Sequence, residues 1–135
     1  MHARFLIIDD NALVRTTLGT ILQTNPDWEI CGEASNGPDG VESFKKLRSD
    51  VVIVDFQMPG LNGVETARLI LQVASAVPIL MFTDHASAEL EAYALGAGIR
   101  AVVSKIDTFL LVGIIKVILG PDDSTPRDEV SSASI

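Results

Sequence analysis

The sequence has a single cysteine, Cys31. That excludes an internal disulfide framework and any zinc site built on cysteine ligands, and Cys31 reads as a small core residue. Basic residues are also scarce: 10 Lys and Arg stand against 18 Asp and Glu, a net charge of −8. Direct binding to nucleic acid or to an anionic membrane needs a basic footprint, so both are set aside. No signal-peptide core with a cleavage site follows Met1-His2-Ala3-Arg4. The longest apolar run, Phe109 to Leu119, is interrupted by Lys116 and is too short to span a bilayer. These absences lead to the expectation of a cytoplasmic protein. There is no internal repeat, and no glycine-rich phosphate loop of the kind a nucleotide hydrolase needs.

What is present is a globular composition. Of 135 residues, 47% are hydrophobic and 21% charged, enough to bury a core in one domain without cross-links. Short apolar runs of strand type occur at Phe5–Ile8, Val51–Val54, Val77–Phe82 and Ile99–Val103, with a weaker one at Trp28–Ala34. Segments of helical period lie between them: Val14, Leu18, Ile21 and Leu22; then Pro38–Leu47; then a segment opening at Asn62; then Ser87–Leu95 with Gly96 as its C-cap; then Asp107–Leu119, stopped by Gly120-Pro121. Strict alternation, with strands apolar on both faces, predicts an α/β fold. The expected architecture is a doubly wound five-stranded parallel sheet of order 2-1-3-4-5, flavodoxin-like, with helices on both faces. Residues 1–119 form that domain. Residues 120–135, rich in Ser, Pro and acid, read as a flexible tail or a truncated linker.

In such a sheet, sites form at the carboxyl ends of the strands, where the strand order reverses. The residues ending the strands are Asp9 and Asp10 on the first, Asp55 on the third, Thr83 on the fourth, and Ser104-Lys105 on the fifth. Three carboxylates on neighbouring strands repel one another unless counter-charges are supplied. Lys105 is one, and a hard divalent cation with oxygen ligands is another. A cation, an ammonium, a hydroxyl and a carboxylate nucleophile together suit phosphoryl transfer. After Asp55 the chain reads Phe56-Gln57-Met58-Pro59-Gly60-Leu61-Asn62-Gly63, a Pro-Gly turn followed by a helix N-cap.

Asp9-Asp10, Asp55-x-x-Met58-Pro59-Gly60-x-Asn62-Gly63, Thr83 and Lys105, in this order and spacing, resemble the receiver domain of two-component response regulators from Ala3 to about Leu119. The resemblance implies that Asp55 is the phosphoacceptor, taking its phosphoryl group from a sensor histidine kinase or phosphotransfer protein. It implies Mg2+ (or Mn2+) on Asp10, Asp55 and the Gln57 backbone carbonyl, with Asp9 acting through water. Thr83 would follow the phosphoryl group and Lys105 would pair with it. Gln57 and His85 stand at the variable positions that influence how long the phosphoryl group lasts. Asn11-Ala12-Leu13-Val14-Arg15 and Cys31-Gly32-Glu33-Ala34 are most similar to the subclass whose members carry a C-terminal helix-turn-helix. The pattern departs from the family at Val102, where the switch residue is usually Tyr or Phe, and at Ile106, where Pro is common. Enzymology is expected to be limited to the domain's own phosphorylation and dephosphorylation.

The last helix is apolar nearly all round, whereas an outer helix should show a single apolar stripe. Two readings are open: burial under the tail, or an exposed patch of Phe109, Leu110, Ile114, Val117 and Ile118 that binds a partner or a second copy. Three rivals to a self-contained signalling receiver remain. One is the truncated receiver of a DNA-binding regulator. Another is a receiver-fold interaction module with weak phosphorylation, which Val102 keeps in play. The third is an aspartyl phosphohydrolase, which needs a second acid where this chain has Gln57.

Overall fold

A computed structural model describes residues 2–120. The expected tail from residue 121 onward lies outside the described residues. Five parallel strands, β1 (Ala3–Ile8), β2 (Trp28–Ala34), β3 (Val51–Val54), β4 (Ile79–Thr83) and β5 (Ala101–Ser104), alternate with five helices. The helices are α1 (Ala12–Leu22), α2 (Gly37–Leu47), α3 (Gly63–Val73), α4 (Ala88–Gly96) and α5 (Thr108–Leu119). The sheet order is β2-β1-β3-β4-β5, as the alternation predicts.

Successive side chains on a strand point to opposite faces, and here both faces are covered. Leu6, Ile8, Val52, Val54, Ile79 and Met81 pack with Phe44, Val64, Ala67, Ile70 and Leu90 of α2, α3 and α4. Phe5, Ile7, Val51, Ile53, Leu80 and Phe82 pack with Leu18, Leu22, Leu111 and Ile115 of α1 and α5. β3, flanked on both sides and capped on both faces, has four buried residues out of four. This explains why it reads as an unbroken apolar run.

Element edges differ from the sequence reading for identifiable reasons. β4 starts at Ile79 because Pro78 has no N–H to give; its carbonyl still accepts from Val52 N at 3.0 Å. β5 starts at Ala101, not Ile99: the Ile99 N–H closes the end of α4 on the Ala94 carbonyl (3.1 Å), and only Arg100 N turns to the sheet. The glycine that permits the turn after α4 is Gly98 (φ +101°), while Gly96 is still helical and Ala97 is the cap. β2 is an edge strand whose register shifts between Phe5 and Leu6, from Ile30 to Gly32. Cys31 is the skipped residue and is half-buried there, not a core residue.

α3 opens with a capping box: Asn62 Oδ1 accepts from Glu65 N (2.9 Å) and Glu65 Oε1 from Asn62 N (2.9 Å). Gly63 follows at closest approach to β3, its N–H on the Phe56 carbonyl at 2.7 Å. A methyl group there would overlap the Asp55 carbonyl oxygen. Asn62→Ala should cost about 1 kcal/mol by urea unfolding. Gly63→Ala should cost more, about 1–3 kcal/mol, because the Asp55 backbone has to move. Equal midpoints for the two variants would show that the close approach is not a constraint.

Candidate functional site

The site begins where β1 and β3 end. Ile8 and Val54 are register partners, so the next residues, Asp9 and Asp55, stand side by side. Their backbones are fixed by hydrogen bonds from Asp9 N to the Ala34 carbonyl and from Asp55 N to the Ile8 carbonyl, both 3.0 Å. Asp9 and Asp55 are only 3% and 6% exposed, whereas Asp10 lies at the open mouth. Carboxylate oxygens of Asp9, Asp10 and Asp55 lie within 4.8 Å of one another.

Lys105, just past β5, bridges the buried pair. Its Nζ is 2.9 Å from Asp9 Oδ2 and 3.0 Å from Asp55 Oδ2. The other oxygens of the pair accept backbone N–H groups: Asp9 Oδ1 from Asn11 (2.9 Å) and Asp55 Oδ1 from Phe56 (2.7 Å). Burial pushes the Asp9 carboxyl above its usual range; the Asn11 N–H and the Lys105 ammonium offset this in part, and the Asp55 charge adds to it. Burial taken alone would lower Lys105, but its bonds to Asp9 and Asp55 and their charges outweigh it, and its pKa is raised. Raised means protonated throughout the neutral range. The stabilisation is complete below the ordinary lysine value and is lost only as pH climbs through the raised one.

With all three carboxylates ionised, one ammonium leaves two negative charges at the mouth. An all-oxygen donor set of that charge, with Asp10 open to solvent, fits a hard divalent cation. Asp10, Asp55 and the neighbouring Gln57 carbonyl are the groups that could hold it.

Thr83 ends β4 fully buried. Its Oγ1 accepts the His85 N–H (3.2 Å) and its carbonyl accepts the Lys105 N–H (3.0 Å), so β4 and the lysine loop are joined next to the carboxylates. Gln57 and His85 are exposed on the loops after β3 and β4. Val102 is not at the site: it pairs with Met81, one pleat back, and packs half-buried on the α4 side. The proposed partner face is open among the described residues. Phe109 is 95%, Val117 81% and Leu110 54% exposed, while Leu111 and Ile115 anchor α5 to the sheet. Ile114 and Ile118 are partly buried along the same groove.

Two contributors were not assigned roles from sequence. Gly63 appears there only as part of a motif. Arg15 appears only as part of a subclass pattern, yet its guanidinium reaches the Asp9 carbonyl at 2.6 Å. Its place four residues after the N-cap Asn11, on the same helix face, is the signal that could have pointed to it.

The response regulator receiver domain family matches residues 5–113. A protein-glutamate methylesterase/protein-glutamine glutaminase of Methanosarcina acetivorans is 42% identical over 98 residues, covering 70% of this chain and 28% of that protein. The chain thus spans less than a third of that relative's length. Among solved structures, a LuxR-family two-component response regulator from Aurantimonas sp. superposes with a TM-score of 0.84 at 30% identity, covering 88% of this chain and 86% of that one. The response regulator domain of CheB from Thermotoga maritima gives 0.73 at 31%, covering 79% and 81%. No helix among the described residues is long and apolar enough to cross a membrane. The chain belongs to the response regulator receiver domains, phosphoacceptor modules of two-component signalling in which phosphorylation and Mg2+ binding are typical.

Proposed function

We propose that this domain, residues 1–119, accepts a phosphoryl group on Asp55 from the phosphohistidine of a sensor kinase or phosphotransfer protein, and passes the charge change to the α5 face. The observation that carries this reading is the bridging of two buried carboxylates by Lys105, beside an open third carboxylate. A carboxylate oxygen of Asp55 attacks phosphorus, the P–N bond breaks, and the imidazole nitrogen keeps the electron pair and regains a proton. The product is an acyl phosphate. Asp10, Asp55 and the Gln57 carbonyl would hold Mg2+ or Mn2+, with Asp9 acting through water; the cation supplies charge neutralisation on phosphoryl oxygens. Lys105 transfers its ion pair from the Asp55 carboxylate to the new anion, and the Thr83 hydroxyl donates to a phosphoryl oxygen. Hydrolysis returns the carboxylate when water attacks phosphorus and the P–O bond to Asp55 breaks. Gln57 and His85, exposed on the flanking loops, set the access of that water.

A phosphohydrolase lacks support, because the residue two after Asp55 is Gln57 and not an acid. The relatives carry outputs of different kinds, a methylesterase in one and a LuxR-type regulator in another.

We assign a second copy of the chain to the α5 face. The stripe Ile106, Phe109, Leu110 and Val117 is exposed, and Gly113 leaves a gap beside it in which nothing lies within 4 Å of an added methyl. A two-fold pairing seats Phe109 of each copy over that gap of the other. Burying such side chains contributes about 1.5–3 kcal/mol each, against an association cost of about 4–15 kcal/mol, so the pairing is concentration dependent.

Intact-mass analysis after a small-molecule phosphodonor with Mg2+ should show one phosphoryl adduct, absent in Asp55→Ala and after chelation. No adduct under any condition would sink the phosphoacceptor reading and leave an interaction module. Phe109→Ser with Val117→Ser should leave urea unfolding within about 0.5 kcal/mol and abolish self-association in sedimentation velocity. A monomeric parent chain at high concentration, with and without phosphoryl mimic, would remove the second copy as occupant.

A further inference from the structure

We infer that Arg15 is a positioning residue for the cation-binding carboxylates, acting through the Asp9–Asp10 backbone. The inference rests on the proposed cation site above and concerns a side chain that has no role in it so far.

The Arg15 side chain leaves α1 one turn after the N-cap and folds back under the end of β1. Its Nη1 donates to the Asp9 carbonyl oxygen at 2.6 Å, and its Nε donates to Glu33 Oε1 at 3.0 Å. The side chain is only 18% exposed. Two donors of one rigid planar group therefore tie β1 to β2 at the mouth of the site. Glu33 lines the polar cleft beside it together with Asp39, Glu42 and Lys46.

The peptide that receives this bond joins Asp9 to Asp10. Asp9 N is already fixed to the Ala34 carbonyl at 3.0 Å, and Asn11 N to Asp9 Oδ1 at 2.9 Å. With Arg15 on the carbonyl, the plane of the Asp9–Asp10 peptide has a single orientation. The direction in which Asp10 projects follows from it. Asp10 is the exposed member of the cluster. Among the described residues its carboxylate has no cross-strand ammonium of the kind that holds Asp9 and Asp55, so it depends most on its backbone for aim.

Charge and geometry predict opposite signs. A guanidinium near a cation site repels the cation, so if Arg15 acted only by charge its removal would tighten binding. If it orients Asp10, removal weakens binding, as loss of outer-shell partners does in other metal sites, by on the order of 10-fold. Calorimetric titration of the whole chain with MgCl2 measures this without phosphorylation. Arg15→Met should raise the Mg2+ Kd about 10-fold, measured on protein that urea unfolding shows to be folded. Adduct formation from the small-molecule phosphodonor should need correspondingly more Mg2+ and regain the parent rate at saturation. Arg15→Lys keeps the charge and loses the planar fork; it too should weaken Mg2+ binding, and it serves if the Met variant fails to fold. Unchanged or tighter Mg2+ binding in Arg15→Lys would overturn the inference. A parent chain that binds Mg2+ but gives no adduct would defeat the phosphoacceptor reading while leaving the Arg15 comparison intact.

Discussion

The rest of the molecule is arranged around one electrostatic problem: like charges crowded where two adjacent strands end. Asp9 and Asp55 are brought side by side by the β1–β3 register and then buried. Burial of unpaired carboxylates is costly enough that they would take up protons. The Lys105 ammonium, within 3.0 Å of both, is the counter-charge placed between them. Position matters as much as charge: Lys105 is set by its own N–H on the Thr83 carbonyl, so β4 and β5 carry the counter-charge to β1 and β3. The sheet is therefore the frame that holds an anion-rich pocket together, and a change in the charge on Asp55 bears directly on where Lys105 sits.

Much of this was legible because the physics is local or repetitive. Strands covered on both faces have no polar alternation, which is why Val51–Val54 and Leu80–Phe82 stand out as apolar runs. Asn62, the N-cap that the sequence shows, accepts the Glu65 N–H; Asn11 and Asn36, not singled out there, cap α1 and α2 in the same way. The strand-end carboxylates and Lys105 fall together because strand order alone places them on one edge.

What was not legible depends on contacts remote in sequence. The β2 bulge arises from pairing with β1, and no residue pattern in 28–34 announces it. Cys31 looks like core by residue type and is half-buried because the bulge skips it. Gly96 and Gly98 both suit a helix end, and the choice between them is made by Ile99 N closing on Ala94. Arg15 meets the Asp9 carbonyl only because β1 and α1 turn back on each other, and Glu33 meets it only because β2 lies alongside.

The path from the pocket to α5 is short. Two residues, Ile106 and Asp107, separate Lys105 from the first residue of α5. Asp107 N bonds to the Ser104 carbonyl, but its side chain gives α5 no cap. Along twelve residues only Leu111 and Ile115 are fully buried, with Val112, Ile114, Ile118 and Leu119 packed half-buried against the same core. A charge change can bias a helix between arrangements only through differential contacts. The Lys105 contacts to Asp9 and Asp55 are the ones that a charge change in the pocket would alter. Val102 bears on how the bias travels. A bulky aromatic there could not shift without displacing its surroundings, whereas a valine packed half-buried against the α4 side leaves β5 without that lever. The lysine loop is tied to Thr83 on one side and runs into α5 on the other, so it joins the carboxylate pocket to the helix that carries the exposed apolar stripe.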